Sequence, residues 1–125
     1  LLFSAANDKE LAPGKTSRGA KRANLAETKL AAWSDWVPIR VQGMVLAGQT
    51  LFVAGPPDKA EAADPMAAFE GRQGGMMRAY SADDGKMLVE QKLEAPPVLD
   101  GLIAARGGLF MCATDGTVLC FGTQR

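Results

Sequence analysis

The chain has 125 residues, with 14 Lys or Arg, 14 Asp or Glu and no His, so its formal net charge is zero. Zero net charge argues against a nucleic-acid or membrane-surface binder that works through bulk electrostatics. The lack of His removes Ser-His-Asp and Cys-His catalysis and any His-ligated metal, and no apolar run approaches the ~20 residues of a membrane span. The length fits one domain or a piece of a larger one. Leu1-Leu2-Phe3 is too short for the apolar core of a secretory signal, and the chain is expected to be a fragment or a processed product.

Residues 1–32 are basic and read as a linker or inter-blade insertion rich in loop. Pro13-Gly14 and Ser17-Arg18-Gly19 punctuate it, and Leu25 with Lys29 or Leu30 hints at a short helix over 20–32. From Trp33 the pattern turns to β. Strands are predicted at 39–46 and 51–54, short apolar runs between turn signals that suit burial on both faces. Residues 56–73 interrupt the pattern with Pro56, Pro57 and Pro65, and Asp64-Pro65 is a fit start for one helical turn. Further strands are predicted at 76–80, 87–93, 102–105, 109–113 and 117–121. The strand 87–93 is the most polar and is placed near a sheet edge.

Asp84-Gly85 and Asp115-Gly116 mark tight turns. If Thr114 pairs with Thr117 across the second turn, Cys120 faces Met111 and Cys112 faces Leu119, on opposite sides of the sheet. Both cysteines are then expected to be small buried apolar residues. Neither CxxC nor a four-ligand zinc set is present.

An internal repeat is the strongest feature. Met44 to Ala54 aligns with Leu102 to Cys112 at an offset of 58, with Leu-Phe at 51–52 and at 109–110. Gly75 to Tyr80 aligns with Gly116 to Phe121 at an offset of 41, so the first copy carries 17 extra residues within the Pro-rich stretch. Without them the period is in the range of four-stranded propeller blades, about 40–45 residues. Two such units cannot bury their own outer faces, and the chain is expected to need neighbouring blades. The fold class expected is all-β: antiparallel four-stranded blades of a partial β-propeller, about two of them, after a loop-rich N-terminal segment. Residues 33–94 form one blade with the inserted loop 56–73, and residues 95–125 form a final partial blade.

The block Ala79-Tyr80-Ser81-Ala82-Asp83-Asp84-Gly85-Lys86, with the apolar strand after it, resembles the unit of the PQQ-like, quinoprotein-alcohol-dehydrogenase-like β-propeller repeats. The block Gly108 to Phe121 is similar. The resemblance implies a seven- or eight-bladed propeller in a full protein, exported to the periplasm or secreted. Some relatives are PQQ-dependent dehydrogenases, and others are scaffolds that bind no cofactor. Here Met87-Leu88-Val89 replaces the common Trp, and the adjacent Cys-Cys pair of the cofactor-binding enzymes is missing. No catalytic, cofactor-binding or metal-ligating residue is therefore assigned within this segment. The function expected is a non-catalytic scaffold or binding propeller. The alternative is part of a PQQ-dependent oxidoreductase whose catalytic residues lie outside.

Long loops on rigid scaffolds often bind, so Asp64, Glu70 and Arg72 of the insertion are the candidate contacts for a protein or saccharide ligand. Four other features are read as structural. Asp83-Asp84 with Asp100 and Asp115 suits local turn bonding better than calcium, which needs about six oxygen ligands. Gly71-Arg72-Gln73-Gly74-Gly75 precedes a strand and not the helix a phosphate cradle needs. Trp33, Trp36 and Tyr80 do not share one strand face as a platform would require. Most of the six methionines fall on predicted strands and are expected in the core.

Overall fold

A computed structural model describes residues 1–5, 31–59 and 61–122. Among these residues the chain is all-β, with antiparallel strands and no helix. It divides into two compact units, Leu1–Val37 with Asp83–Gly85, and Pro38–Ala82 with Lys86–Arg125.

In the first unit, β1 (Leu2–Ala5) pairs antiparallel with β2 (Ala31–Asp35), with Leu2 opposite Asp35 and a register shift after Ser4. The basic stretch read as loop thus begins and ends in strand. The helix expected over 20–32 ends in β2 at Ala31 and Ala32, and its remainder lies outside the described residues.

The second unit holds two sheets. The first has the order β3 (Gly43–Ala47), β4 (Thr50–Gly55), β5 (Gly75–Ser81), β6 (Met87–Leu93), so the polar strand β6 does lie at an edge. The second has the order β7 (Pro97–Ala105), β8 (Gly108–Ala113), β9 (Val118–Gly122). The strand predicted at 39–46 starts regularly only at Gly43. Before it, residues 38–42 run beside 54–58 through isolated bonds, Arg40 N–H to Pro56 O at 3.0 Å and Gln42 N–H to Ala54 O at 2.9 Å. That approach explains Gly55, where a Cβ would sit 1.9 Å from the Arg40 carbonyl oxygen.

Pairing registers in the two sheets correspond residue by residue. Met44 lies opposite Val53, and 58 residues on Leu102 lies opposite Met111. Leu51 lies opposite Tyr80, and Leu109 opposite Phe121, at offsets of 58 and 41. The turns differ within this frame. Gly48-Gln49 has one positive φ, at Gly48, as in a type II′ turn, whereas Arg106 and Gly107 both have positive φ, as in type I′.

Side chains alternate between the faces of each sheet. Val45, Phe52, Ala54, Met77 and Leu93 share one face of β3–β6, here called the front. They form a single apolar core with Leu102, Leu109, Met111 and Ala113 of β7–β9, where β3 lies against β7. By the 58-residue offset, Leu102, Leu109 and Met111 correspond to Met44, Leu51 and Val53, which lie on the back of the first sheet. The sheets therefore stack front to back. The front of β7–β9 is the outer surface, carrying Ile103, Phe110, Cys112, Val118 and Cys120.

The hairpin β8–β9 corrects one expectation. Its loop has three residues, Thr114-Asp115-Gly116, with Gly116 at φ 87° and Ala113 N–H donating to Thr117 O. A type I turn followed by a left-handed glycine is one residue longer than the two-residue turn assumed from Asp-Gly. Cys112 thus faces Val118 and Cys120 faces Phe110. A one-residue slip moves every side chain of a strand to the other face. The cysteines therefore share a face, diagonal to each other at a typical ~7–8 Å, beyond disulfide reach. Both are free and exposed, not buried as expected, because they lie on the uncovered front.

Candidate functional site

The insertion is built from turns. Asp64 O accepts from Ala67 N–H, Met66 O accepts from Glu70 N–H, and Ala67 O accepts from Arg72 N–H. These bonds give helix-like turns but no helix. The Asp64 side chain pairs with Arg72 instead of capping, its Oδ2 2.6 Å from Arg72 Nη2, and Glu70 Oε2 pairs with Arg72 Nη1. The three side chains singled out in sequence thus converge, with two carboxylates on one guanidinium, all about half-exposed.

Glycines anchor this loop on the segment before β7. A Cβ at Gly75 would lie 2.7 Å from Pro96 Cα, and one at Gly74 would lie 2.6 Å from Leu93 O. The glycine-rich run lets two backbones approach closely. Within the loop Ala67 and Ala68 are buried, while Met66 and Phe69 are exposed.

A second concave feature lies between the two sheets. A cavity of about 610 Å³ is lined by Phe52, Met77, Val89, Leu109 and Phe121, with Thr50, Gln91 and Arg106 as its polar groups. It exists because Ala47, Ala79, Ala104, Ala105, Gly108 and Gly122 on its walls are small. Val89 and Gln91 of β6 face it because, among the described residues, the second sheet has no fourth strand. Such walls can bury an apolar group and offer it a few hydrogen bonds. No local pattern in the sequence marks this cavity, because its lining is assembled from two stacked sheets.

A third cluster lies on the back of β3–β6. Arg78 stands directly opposite Glu90 and donates to it, Nε to Oε2 at 2.7 Å, and its Nη1 donates to the Tyr80 hydroxyl at 3.3 Å. Burial works against the Arg78 charge, but the hydrogen bonds to Tyr80 and Glu90 outweigh it, so its pKa is raised. Tyr80 is fully buried and cannot serve as a platform; Trp33 is half-buried and Trp36 exposed.

The remaining features resolve locally. Asp115 Oδ1 accepts from the Thr117 hydroxyl at 2.7 Å and the Thr117 N–H at 2.9 Å, which lowers its pKa. Among the described residues no three His, Cys, Asp or Glu gather as a metal-holding group, and no helix is long and apolar enough to cross a membrane. The methionines depart from expectation. Only Met77 and Met111 are core, whereas Met44, Met66 and Met87 are at least half exposed. Met44 and Met87 share the back of the first sheet with Arg78, and Met66 sits on the loop, so none of the three points into the core between the sheets.

Comparison with protein-family models, with curated proteins and with solved structures found no match to this chain.

Proposed function

We propose that the chain is part of a non-catalytic scaffold or binding β-propeller of the PQQ-like repeat kind, working outside the cytoplasm. Its two sheets are successive blades, and the loop 56–73 presents Asp64, Glu70 and Arg72 to a protein or saccharide ligand. One observation carries the reading: the front of β3–β6 packs on the back of β7–β9 while both sheets keep one pairing register. Blades of a propeller are stacked in this sense, each covering the next. Apolar residues on both faces of the second sheet serve the same architecture. A chain without His also has no Ser-His-Asp or Cys-His constellation to offer.

Reading the coding sequence on both sides of this segment tests the blade assignment. About four to six further copies of the unit are expected for a ring of typical size, and none would overturn it. Adding PQQ and calcium to the purified protein, followed by dye-linked oxidation of alcohols and sugars, tests the non-catalytic part. No retained chromophore and no turnover are expected. A retained quinone absorbance with turnover would replace the scaffold with an oxidoreductase.

A further inference from the structure

Neighbouring sheets in a stack cover faces and leave the strand ends to the connecting loops. In the second unit one such end gathers the junction of β4 and β5 at Gly55 and Gly75, the start of β7 and the hairpin β8–β9. The loop 56–73 reaches across both sheet ends: a Cβ at Gly71 would lie 3.3 Å from Pro96 and 3.6 Å from Thr114 Oγ1. Phe69 and Met66 are three residues apart on the turn closed by Glu70 N–H and Met66 O, and both are exposed. Beside the loop, β7 bulges. Pro97 lies opposite Ala113 and Leu102 opposite Met111, so residues 98–101 stand against Cys112 alone. Asp100 takes φ 55°, and its N–H donates to Gln42 O at 2.8 Å. The excursion is thereby pinned, and it holds Leu99 77% exposed.

This end is also acidic. Its connections, residues 38–42, 56–74, 94–101 and 114–117, hold seven Asp or Glu against three Lys or Arg. Two of those bases, Arg40 and Arg72, are already paired with carboxylates of the same surface. Glu94 and Asp100 are exposed and form no ion pair among the described residues. Apolar anchors therefore project from fixed backbone among carboxylates that lack cations.

We infer that this strand-end surface docks a protein segment that is both basic and apolar. Its apolar side chains lie against Leu99 and Phe69, and its Lys or Arg side chains answer Glu94, Asp100 and the carboxylates of the loop. Anchors already held in place lose little freedom on binding, and the surrounding charge selects and steers the partner. A neutral sugar brings no charge to answer the acids, and Asp64 and Glu70 are engaged by Arg72. A nucleic acid is repelled. This rests on the reading of the loop 56–73 as a binding loop and narrows its ligand to a protein.

Titration of the isotope-labelled 125-residue chain, followed by its amide NMR shifts, tests it. The probes are three synthetic peptides of equal length, built of Leu with Lys, Ser with Lys and Leu with Glu, and the neutral oligosaccharides cellohexaose and maltohexaose. The Leu/Lys peptide is expected to shift Phe69, Glu70, Leu99 and Asp100 saturably, less so as salt rises, and the other probes to leave them in place. Leu99→Ser and Phe69→Ser are each expected to weaken binding about tenfold. Val118→Ser, on the uncovered front of β7–β9, is expected to leave it unchanged. All three positions are exposed, and circular dichroism checks that the variants remain folded. Glu94→Gln with Asp100→Asn keeps the shape and is expected to remove most of the salt dependence. An equal response to the Leu/Glu or Ser/Lys peptide overturns the inference. So do shifts led by Ile103 and Val118, or a Val118→Ser loss as large as that of Leu99→Ser. Oligosaccharide shifts at Asp64, Glu70 and Arg72 without a Leu/Lys response overturn it and leave the binding loop standing. No response of the loop to any probe overturns both.

Discussion

Met77 and Val118 occupy the same place in the two sheets of the second unit. Each lies opposite a residue of the preceding strand, Ala54 and Cys112 respectively, at corresponding registers. Met77 is 6% exposed and Val118 is 68% exposed. The same holds for Ala54, fully buried, and Cys112, exposed. Strand pairing, side-chain alternation and residue class are alike in both sheets, so none of these sets burial. Burial is set by whether another sheet follows. An apolar residue on a strand of such a unit reports what the unit can receive, and its exposure reports whether the place is filled.

The comparison predicts unequal effects at equal positions. Met77→Ala should lower unfolding stability by about 2–5 kcal/mol, as for a core methionine that leaves a cavity. Val118→Ala should change it by less than about 0.5 kcal/mol in the monomer. Urea denaturation of both variants at low concentration checks this, and equal losses would break the distinction between the faces. The turns sharpen it. Arg106 is held at φ 50° in a type I′ turn, a conformation costly for Arg, while the corresponding Gly48 bears no such cost. Arg106→Asn should therefore raise stability by about 0.5–1 kcal/mol, whereas Gly48→Ala should lower it by about 1 kcal/mol.

Smaller effects are expected outside the core. Arg72→Ala breaks the pairs with Asp64 and Glu70 at the surface, and should cost under about 1 kcal/mol, less in high salt. Melting curves at two salt concentrations measure it. Asp115 has a lowered folded pKa, so its contribution to the β8–β9 turn is present above its ordinary value of 3.8 and is lost as pH falls through the folded value. A carboxyl titration followed by NMR should place its midpoint below 3.8, and Asp115→Asn should remove that acid dependence.

Much of the second unit was legible in the sequence because its signals are local. Short apolar runs between turn signals set the strands, and Gly with Asp set the turns. The offsets of 58 and 41 between the copies reappear in the strand pairing itself. The polar run Glu90-Gln91-Lys92 correctly marked an edge strand. Three things were not legible. The extra residue in the Thr114–Gly116 loop shifted the cysteines by one position, since Asp-Gly alone fits both turn lengths. The exposure of Met44 and Cys112 could not be read, because an apolar residue does not reveal whether its face is covered. The pairing of β1 with β2 joins segments some thirty residues apart, with no repeat to align them.

Nuclear Overhauser contacts on the isotope-labelled chain would observe the front-to-back stacking of the two sheets itself. Gly43 lies so close to Leu102 that a Cβ there would come within 2.9 Å of the Leu102 Cβ. Strong contacts are expected from the Gly43 α-protons and the Met77 methyl to Leu102, Leu109 and Met111, at concentrations where the chain is monomeric. Contacts from Gly43 and Met77 to Ile103, Phe110 and Val118 instead would mean front-to-front packing, and would contradict it.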